Sequence, residues 1–469
     1  MLTLASESHD RDCAGLSRRD FLTVGSLALG GLTLSSLLSS RARAAAEGSV
    51  ASERSVVLLF LGGGPSHIET FDPKMDAPSE IRSVTGEVPT AIPGVTFGGT
   101  FPRLARLAGR LAVVRSFRHP VTDHSRAIHH VITAGHPTGA SMGSLYARLR
   151  GATHPRTGFP TYATITNDEV DGQYLKEKRR VVMASGPGSL GAPLAPFDLA
   201  PLDPAPSDSG GGGAGLDLEL NVPPGRLADR RALLRGLDRL ERRIDANGVM
   251  EGVDRFEQQA FDLILGGARK AFDLSEERPE LVDRYDTSRF RVGHKKFRPS
   301  TLGRQLLLAR RLCERGCGFV TVQSAGWDMH ADGNNPGVLD GMRMLGPALD
   351  RAVSAFLEDL ESRGLEDRIL LVITGDFGRT PRINKRGGRD HWSSLSTLVL
   401  AGGGLRTGQV VGRSARRADV PTTEPVKPEN LLATILHVLF DVGRLRVRQG
   451  LPAEIRRTVE SARPIDELI

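Results

Sequence analysis

The stretch RILLVITGDFGRTPRINKRGGRDHW, residues 368–392, joins an apolar run to a loop that carries two aspartates, a histidine and several cations. A short continuous run of Ile, Leu and Val, followed by turn residues, is typical of a strand buried on both faces. The stretch therefore predicts a buried strand over 368–374. Two interpretations of the loop stay open at this point: half of a metal site, or a solvated turn.

Further apolar runs of the same kind predict strands elsewhere in the chain, at 55–61, 111–117, 180–185, 318–324 and 396–401. Helical patterns alternate with them, at 101–109, 124–134, 301–315, 337–363 and 428–440. This alternation predicts an α/β sandwich with a largely parallel sheet. Residues 45–469 are predicted as one domain, in which a Gly-rich loop and a charged helical stretch form an insertion over 203–300.

The first 44 residues have the pattern of an export signal. A twin arginine, Arg18 and Arg19, precedes an apolar stretch over 21–38, and the small residues Ala42 and Ala44 suit a signal peptidase. We therefore expect residues 1–44 to be a twin-arginine signal that is recognised by the twin-arginine translocase. The protein is then periplasmic or extracellular and contacts the membrane only through this segment. The alternative is that the segment stays uncleaved as an anchor.

The composition bears on two questions: whether nucleic acid is a partner, and whether disulfides stabilise the fold. The net charge is +7 and aromatic residues make up 5% of the chain, without a Lys/Arg-rich block in which aromatics are interleaved. We therefore predict no nucleic-acid partner. Cys13 belongs to the signal, and Cys313 and Cys317 are predicted as small core thiols, with one bridge between them as the alternative.

Chemically active residues follow the predicted strands. In parallel sheets, ligands bind beyond the carboxyl ends of the strands, so these residues are expected at one edge. The candidates in chain order are His67, Thr122, Asp123, His124, Ser125, Arg126, Asp328, His330, Asp376, Arg379 and His391. Imidazole with carboxylate suits zinc, manganese or iron, whereas oxygen ligands alone suit calcium or magnesium. Arg126 and Arg379 are placed to hold an anionic ester.

Several of these residues also have a purely structural interpretation. The glycines at 62–64 fit a tight turn without a ligand. Asp328 and His330 fit a hydrogen-bonded pair within a loop. One of the histidines on the helical pattern 124–134 is expected to face the site, with His124 as the candidate ligand. His437, inside an apolar helical pattern, is predicted as a core residue.

Four quoted stretches carry a family resemblance: LFLGGGPSHIETFDPK, DHSRAIHHVITAGHP, GFVTVQSAGWDMH and GDFGRTPRINKRGGRDHW. With other matching segments they cover residues 54–440. The chain resembles an exported bacterial family known as domain of unknown function number fifteen-oh-one, which is grouped with the alkaline phosphatase and sulfatase superfamily. The resemblance implies a three-layer α/β/α sandwich of the alkaline phosphatase/sulfatase type with a helical insertion.

The resemblance also implies site residues. Asp328, His330 and His391 match the ligands of one metal ion, and Asp376 matches a ligand of a second ion. Phe377 stands where the superfamily has a histidine, and glycine replaces its early aspartate. His67, Asp72 and Asp123 are the substitutes that we consider for that aspartate.

The nucleophile is a further implication of the resemblance. The sequence VTDHSRA at 121–127 lacks the cysteine that sulfatases oxidise to formylglycine. Thr122 and Ser125 are therefore the candidate nucleophiles, with a water activated by the metal as the alternative.

The function predicted from these features is that of an exported metal-dependent hydrolase acting on small anionic esters of phosphate or sulfate. Its cofactor is expected to be a divalent metal, one or two ions, with zinc ahead of manganese, iron and calcium. The alternative is a non-catalytic exported binding or assembly protein that keeps the sulfatase-like fold.

Overall fold

The computed structural model describes residues 50–166, 172–199, 269–461 and 463–469. The predicted signal segment and the part of the predicted insertion before residue 269 lie outside these ranges. The described strands are β1 Ser55–Leu61, β2 Glu87–Pro89, β3 Thr96–Gly98, β4 Ala112–Val114, β5 Tyr162–Ile165, β6 Phe197–Asp198, β7 Arg291–Gly293, β8 Phe297–Pro299, β9 Phe319–Ser324, β10 Ile369–Gly375, β11 Gly378–Arg379, β12 His391–Trp392, β13 Leu398–Gly402 and β14 Gln409–Val411.

Helices connect these strands. The described α-helices are α1 His67–Thr70, α2 Pro102–Arg106, α3 His124–Ile132, α4 Met142–Arg150, α5 Gly172–Ala184, α6 Arg269–Phe272, α7 Pro279–Tyr285, α8 Leu302–Glu314, α9 Val338–Ser362, α10 Pro428–Leu439, α11 Val442–Val447 and α12 Ala453–Ser461. Among the described residues, no helix combines the length and the apolar character that crossing a membrane requires.

The main sheet has the strand order β14-β4-β13-β10-β1-β9-β5-β6. β1 lies at its centre, parallel to β10 on one side and to β9 on the other. β13 is antiparallel to both of its neighbours, while β4 and β14 pair in parallel. The prediction of a largely parallel sheet is confirmed.

Both faces of β1 are covered, as its continuous apolar sequence requires. Leu59 and Leu61 belong to the large core that includes Phe356 of α9. Phe60, which points to the other face of the pleat, packs with Ile128 of α3 and Val181 of α5. Helices thus lie on both sides of the sheet, and the fold is a three-layer α/β/α sandwich.

The predicted strand over 180–185 is wrong, because these residues end helix α5. Val181, Ala184 and Ser185 are buried, whereas Met183 is 81% exposed, and this burial pattern has the helical and not the strand period. Short apolar runs do not distinguish the two structures. The short strands β5, β6 and β14 were not predicted from sequence.

The two described cysteines, Cys313 and Cys317, are free and buried, which confirms the prediction of core thiols. Burial raises the pKa of the Cys313 thiol to about 12.

Candidate metal centre

Strand register brings the site's loops to one edge of the sheet. Leu61, the last residue of β1, pairs with Gly375 of β10 and with Ser324 of β9. The loops that leave these three strands therefore start side by side. His391 reaches the same edge from β12, which pairs with β11, and His124 arrives as the first residue of helix α3.

Asp328 is the centre of the cluster and is 2% exposed. Its Oδ2 lies 3.3 Å from His124 Nε2 and 3.2 Å from His330 Nε2. Its Oδ1 lies 3.6 Å from His391 Nε2. The structure thus brings together four of the predicted metal ligands, and three imidazoles turn the same ring nitrogen towards one carboxylate.

The other ring nitrogen of each histidine faces an oxygen acceptor. His124 Nδ1 lies 2.6 Å from Asp376 Oδ2, and His391 Nδ1 lies 3.0 Å from the carbonyl oxygen of Thr122. His330 Nδ1 lies 3.5 Å from an oxygen of Asp332. A proton on Nδ1 in each ring satisfies these acceptors and leaves Nε2 with a lone pair directed at Asp328. This is the usual arrangement around histidines that ligate a metal.

The cluster fits a divalent ion. One ligand atom from each of His124, Asp328 and His391 lies within 4.8 Å of the other two. His124 Nε2 is buried, and its contact with Asp328 lacks the geometry of a hydrogen bond. Imidazole nitrogens with one carboxylate suit zinc, manganese or iron, and suit calcium poorly because calcium takes oxygen ligands. His330 is a further ligand candidate, although the Asn335 amide nitrogen also lies 3.2 Å from its Nε2.

The protonation of His124 bears on whether the cluster could hold an ion. Burial favours the neutral form of His124, but the two facing carboxylates, Asp328 and Asp376, outweigh burial and raise its pKa to about 9. Burial raises the pKa of the Asp328 carboxyl, but the Arg379 charge and the three facing imidazoles outweigh burial and hold this pKa far below the ordinary value. An ion bound at this cluster would therefore have to displace a proton from His124 at neutral pH.

Arg379 does not occupy the position predicted for an anion-binding residue, because its side chain is fully buried. Its Nε donates to the carbonyl of Gly64 at 2.8 Å, and Nη1 donates to the carbonyl of Arg389 at 3.1 Å. Nη2 donates to the Gly63 carbonyl and, at 2.5 Å, to Asp328 Oδ1. The guanidinium therefore fixes the glycine turn and the central carboxylate, and it presents no surface to a substrate.

Asp376 also differs from its predicted position as the ligand of a second ion. It is fully buried, and its Oδ1 accepts a hydrogen bond from the Gly63 N–H at 3.1 Å while Oδ2 holds His124. Both carboxylate oxygens of Asp376 therefore accept hydrogen bonds from groups of the protein itself. The neighbouring Phe377 ring lies 4.8 Å from the His124 ring and 4.6 Å from the His391 ring, so it covers the two imidazoles.

Two further predicted ligands lie outside the cluster. His67 is buried, and its Nε2 bonds to the Ala418 carbonyl at 2.9 Å, while burial lowers its pKa to about 4. Asp123 caps helix α3 by accepting a hydrogen bond from the Arg126 N–H at 3.0 Å. Both residues serve local structure, which corrects their assignment as metal ligands.

Thr122 lies just before helix α3, whereas Ser125 and Arg126 lie in its exposed first turn. Thr122 and Ser125 are exposed, and the Thr122 carbonyl is the group that orients His391. The Arg126 side chain is 81% exposed, with its Nε 3.7 Å from Asp123 Oδ1. Arg126 is thus accessible to an anion in solvent, whereas Arg379 is not.

Sequence analysis missed the buried ion pair that anchors the loop before His391. Arg389 Nη2 donates to Glu69 Oε1 at 2.8 Å, and both side chains are completely buried. Arg389 also donates to the Ile81 carbonyl at 2.9 Å. The partners are 320 positions apart, and neither sequence context signals the pairing.

A protein-family model described as "Protein of unknown function (DUF1501)" matches residues 53–469. This confirms the predicted family and extends the match beyond residue 440. No curated protein matches the chain significantly in sequence.

Solved structures with a similar fold include three of different activities. The lipoteichoic acid synthase LtaP from Listeria monocytogenes has 11% identity and a TM-score of 0.35, with 87% of this chain and 76% of that chain covered. The phosphonate monoester hydrolase SpPMH from Silicibacter pomeroyi has 10% identity and a TM-score of 0.34, with 82% and 73% covered. Alkaline phosphatase from the Antarctic bacterium TAB5 has 11% identity and a TM-score of 0.31, with 82% and 97% covered. Similarity at this level does not indicate a shared activity.

Proposed function

The chain belongs to the DUF1501 family of proteins of unknown function, and from its buried histidine–aspartate cluster we propose that it is an exported, metal-dependent hydrolase of phosphate or sulfate esters. The single observation that carries this proposal is the orientation of the three imidazoles. Each directs Nε2 at Asp328 and holds an oxygen with Nδ1. Three histidines oriented in this way around one buried carboxylate favour a metal site over a solvated turn.

The proposed site holds one ion. Asp328, His124 and His391 are its ligands, and His330 is the fourth. A second ion needs carboxylates of its own, but both oxygens of Asp376 are committed to Gly63 and His124. The Arg379 guanidinium already supplies a fixed second cation beside Asp328. Zinc is the proposed metal, with manganese and iron as alternatives, because the donors are mainly imidazole nitrogens.

The residues around the site prepare it for ester chemistry. When bound, a divalent ion supplies Lewis acidity towards an ester oxygen. Asp376 and the Thr122 carbonyl keep His124 and His391 in one tautomer, while Arg379 keeps Asp328 ionised. Phe377 excludes water from one side of both imidazoles. This rigid arrangement limits the reorganisation that the reaction needs.

The exposed start of helix α3 supplies the proposed substrate contacts. Arg126 is accessible and is the proposed anion contact, since a guanidinium binds phosphate or sulfate oxygens in a bidentate manner. Ser125 directly follows His124 in the chain and is the first candidate nucleophile, with Thr122 as the second.

Export is the proposed route to the periplasm or the exterior. Its support is the twin arginine at Arg18 and Arg19 with the apolar stretch that follows, and these residues lie outside the described ranges. The twin-arginine translocase is the proposed transient partner.

Metal content and turnover test the proposal together. The protein isolated from the periplasm is compared with the His124→Ala and His391→Ala variants, and with His129→Ala as the matched control. His129 lies on the same helix α3 but is exposed. We expect about one equivalent of metal in the native protein and the control, and loss in the two variants. Hydrolysis of p-nitrophenyl phosphate or sulfate should follow the metal content. Native protein without metal would overturn the proposal.

A non-catalytic binding or assembly protein is the second candidate function. The observation that favours it is that the Arg379 guanidinium and both Asp376 carboxylate oxygens form hydrogen bonds within the protein. In the hydrolase predicted from the sequence, Arg379 would contact the substrate anion and Asp376 would bind a second ion. The outcome that separates the candidates is a protein that holds metal and hydrolyses neither ester, with Ser125→Ala unchanged in every measured property.

A further inference from the structure

A groove of about 890 Å³ lies beside the candidate metal centre, next to His330. One wall is the hairpin of β7 and β8, with His294, Lys295 and Lys296 at its tip. The other wall is the segment after His330, which contributes Asp332 and Asn335. These two residues also contact the His330 ring, Asp332 at Nδ1 and Asn335 at Nε2. The wall of the groove therefore lies next to His330.

The groove has apolar walls and a cationic rim. Phe297 is 51% exposed, which is unusual for an aromatic side chain, and it lines the groove together with Pro336 and Met344. Arg291, Lys295 and Lys296 are exposed around it. A patch of exposed aromatic and cationic side chains suits a ligand that has a flat apolar body and negative charge.

Two acidic residues, Asp332 and Asp340, also line the groove. Asp332 Oδ1 is committed to the backbone N–H groups of Asn334 and Asn335, at 2.7 and 2.8 Å. Lys295 Nζ lies 2.9 Å from the Asn334 side-chain oxygen, so the hairpin tip is held over this turn. Three cations against two acids leave an excess of positive charge at the rim, where it attracts anions.

We propose that this groove is a binding subsite for the non-reacting part of an anionic ester, with an aromatic or similarly flat apolar body that carries further negative charge. The assignment of the occupant as part of a substrate rests on the proposed function. The prediction that the groove binds such a molecule does not. Phe297, Pro336 and Met344 contact its apolar face. Arg291, Lys295 and Lys296 face its anionic groups. The reacting ester group is then directed towards His330, because Asp332 and Asn335 line the groove and also contact the His330 ring.

Binding of pyranine, a fluorescent hydroxypyrene with three sulfonates, tests the subsite without turnover. Fluorescence anisotropy is measured on the full chain and on three variants. These are Lys295→Ala with Lys296→Ala, Phe297→Ala, and the matched control Arg456→Ala with Arg457→Ala. The control removes the same two charges from exposed positions of α12, outside the groove.

We expect the Lys295/Lys296 variant to weaken pyranine binding roughly fivefold, as two exposed charge contacts would. Phe297→Ala should weaken it by a similar factor, and the control should leave it unchanged. Affinity should fall as salt is raised, because the rim charges are exposed. Native protein that does not bind pyranine, or a Lys295/Lys296 variant that binds as the control does, would overturn the subsite.

The two proposals fail in different ways. His124→Ala is expected to lose metal and keep pyranine binding, whereas the Lys295/Lys296 variant is expected to keep metal and lose pyranine affinity. With an ester of pyranine as substrate, the Lys295/Lys296 change should raise KM and leave kcat near the native value. With methyl phosphate, which has no flat apolar body, the same change should leave KM unaltered. An equal rise of KM for both esters would contradict the assignment of the groove to the non-reacting part.

Discussion

Replacing Asp376 by Asn tests whether the cluster is a metal site. The two side chains have the same shape, so packing around this fully buried residue is conserved. In the native protein Oδ1 accepts from the Gly63 N–H and Oδ2 accepts from His124 Nδ1. Asn offers one acceptor and one donor group. If the Asn oxygen keeps the hydrogen bond from the Gly63 N–H, the amide nitrogen faces His124. His124 Nδ1 must then accept a hydrogen bond from it.

That requirement inverts the His124 tautomer. The ring proton then moves to Nε2, the nitrogen that lies 3.3 Å from Asp328 and is needed by the ion. In the opposite amide orientation, an N–H group faces the Gly63 N–H and that hydrogen bond is lost. Loss of such an outer carboxylate weakens metal affinity about 10- to 100-fold, which equals about 1.4–2.7 kcal/mol. We expect an effect near the upper value, because the bond is short and buried.

Zinc affinity, measured by competition with a fluorescent chelator, gives the result. Asp350→Asn is the matched control: Asp350 is also buried and accepts backbone N–H groups, at Arg103 and Leu104, with no imidazole among its bonds. A thermal unfolding curve establishes that each variant is folded. If Asp376→Asn binds zinc as tightly as the control, then Asp376 does not set the His124 tautomer and the reasoning is refuted.

Three other changes address the surroundings of the site. His67→Gln should make the free energy of unfolding less sensitive to acid. The pKa of His67 in the folded protein, about 4, lies below the ordinary value of 6.5, so neutral His67 contributes up to about 3 kcal/mol of stability above pH 6.5. This contribution is lost as pH falls through 4. Glu69→Gln should lower the free energy of unfolding by about 3–5 kcal/mol, because the buried Arg389 charge loses its partner. Gly63→Ala should cost at least about 2 kcal/mol and release zinc, since φ is +107° and the new Cβ would lie 2.4 Å from the Asp328 nitrogen.

Urea unfolding measures the stability of all three variants, and chelator competition measures the zinc affinity of Gly63→Ala. Each variant has a control of the same chemistry. His129→Gln changes an exposed histidine and should keep the native pH profile. Glu361→Gln breaks an exposed pair with Arg110 and should change stability by less than about 1 kcal/mol. Gly333→Ala adds a methyl group where no atom lies within 4 Å. An experimental variant that behaves like its control contradicts the corresponding argument.

The strands that position the site could be predicted from the sequence, because each is a continuous apolar run. Residues 55–61, 318–324 and 368–374 were predicted within one residue of β1, β9 and β10. Their mutual parallel pairing then follows from the alternation with helices. The run at 180–185 was misassigned because its six residues are too short to show a period, and its burial follows packing against Phe60.

The chemistry of single residues could be predicted less well than their position. Asp328, His330 and His391 follow strand ends and meet, as their placement indicated. Arg379 follows the same strand end as Asp376, but a sequence does not reveal that the Gly63 and Gly64 carbonyls consume its donors. Burial determines whether Arg379 contacts a substrate or only stabilises the fold. That burial depends on residues more than 300 positions away in the sequence.

Charge balance links the one-ion proposal to the anionic substrate. The buried carboxylates of Asp328 and Asp376 carry two negative charges, and Arg379 carries one positive charge. A proton on His124 brings this group to neutrality, which is what a metal-free buried cluster requires. A divalent ion that displaces the proton leaves one positive charge in excess, and an ester monoanion compensates it. A second divalent ion would leave three, with no further buried carboxylate bonded to the cluster among the described residues. One ion and one anionic ester are therefore the combination that the buried charges favour.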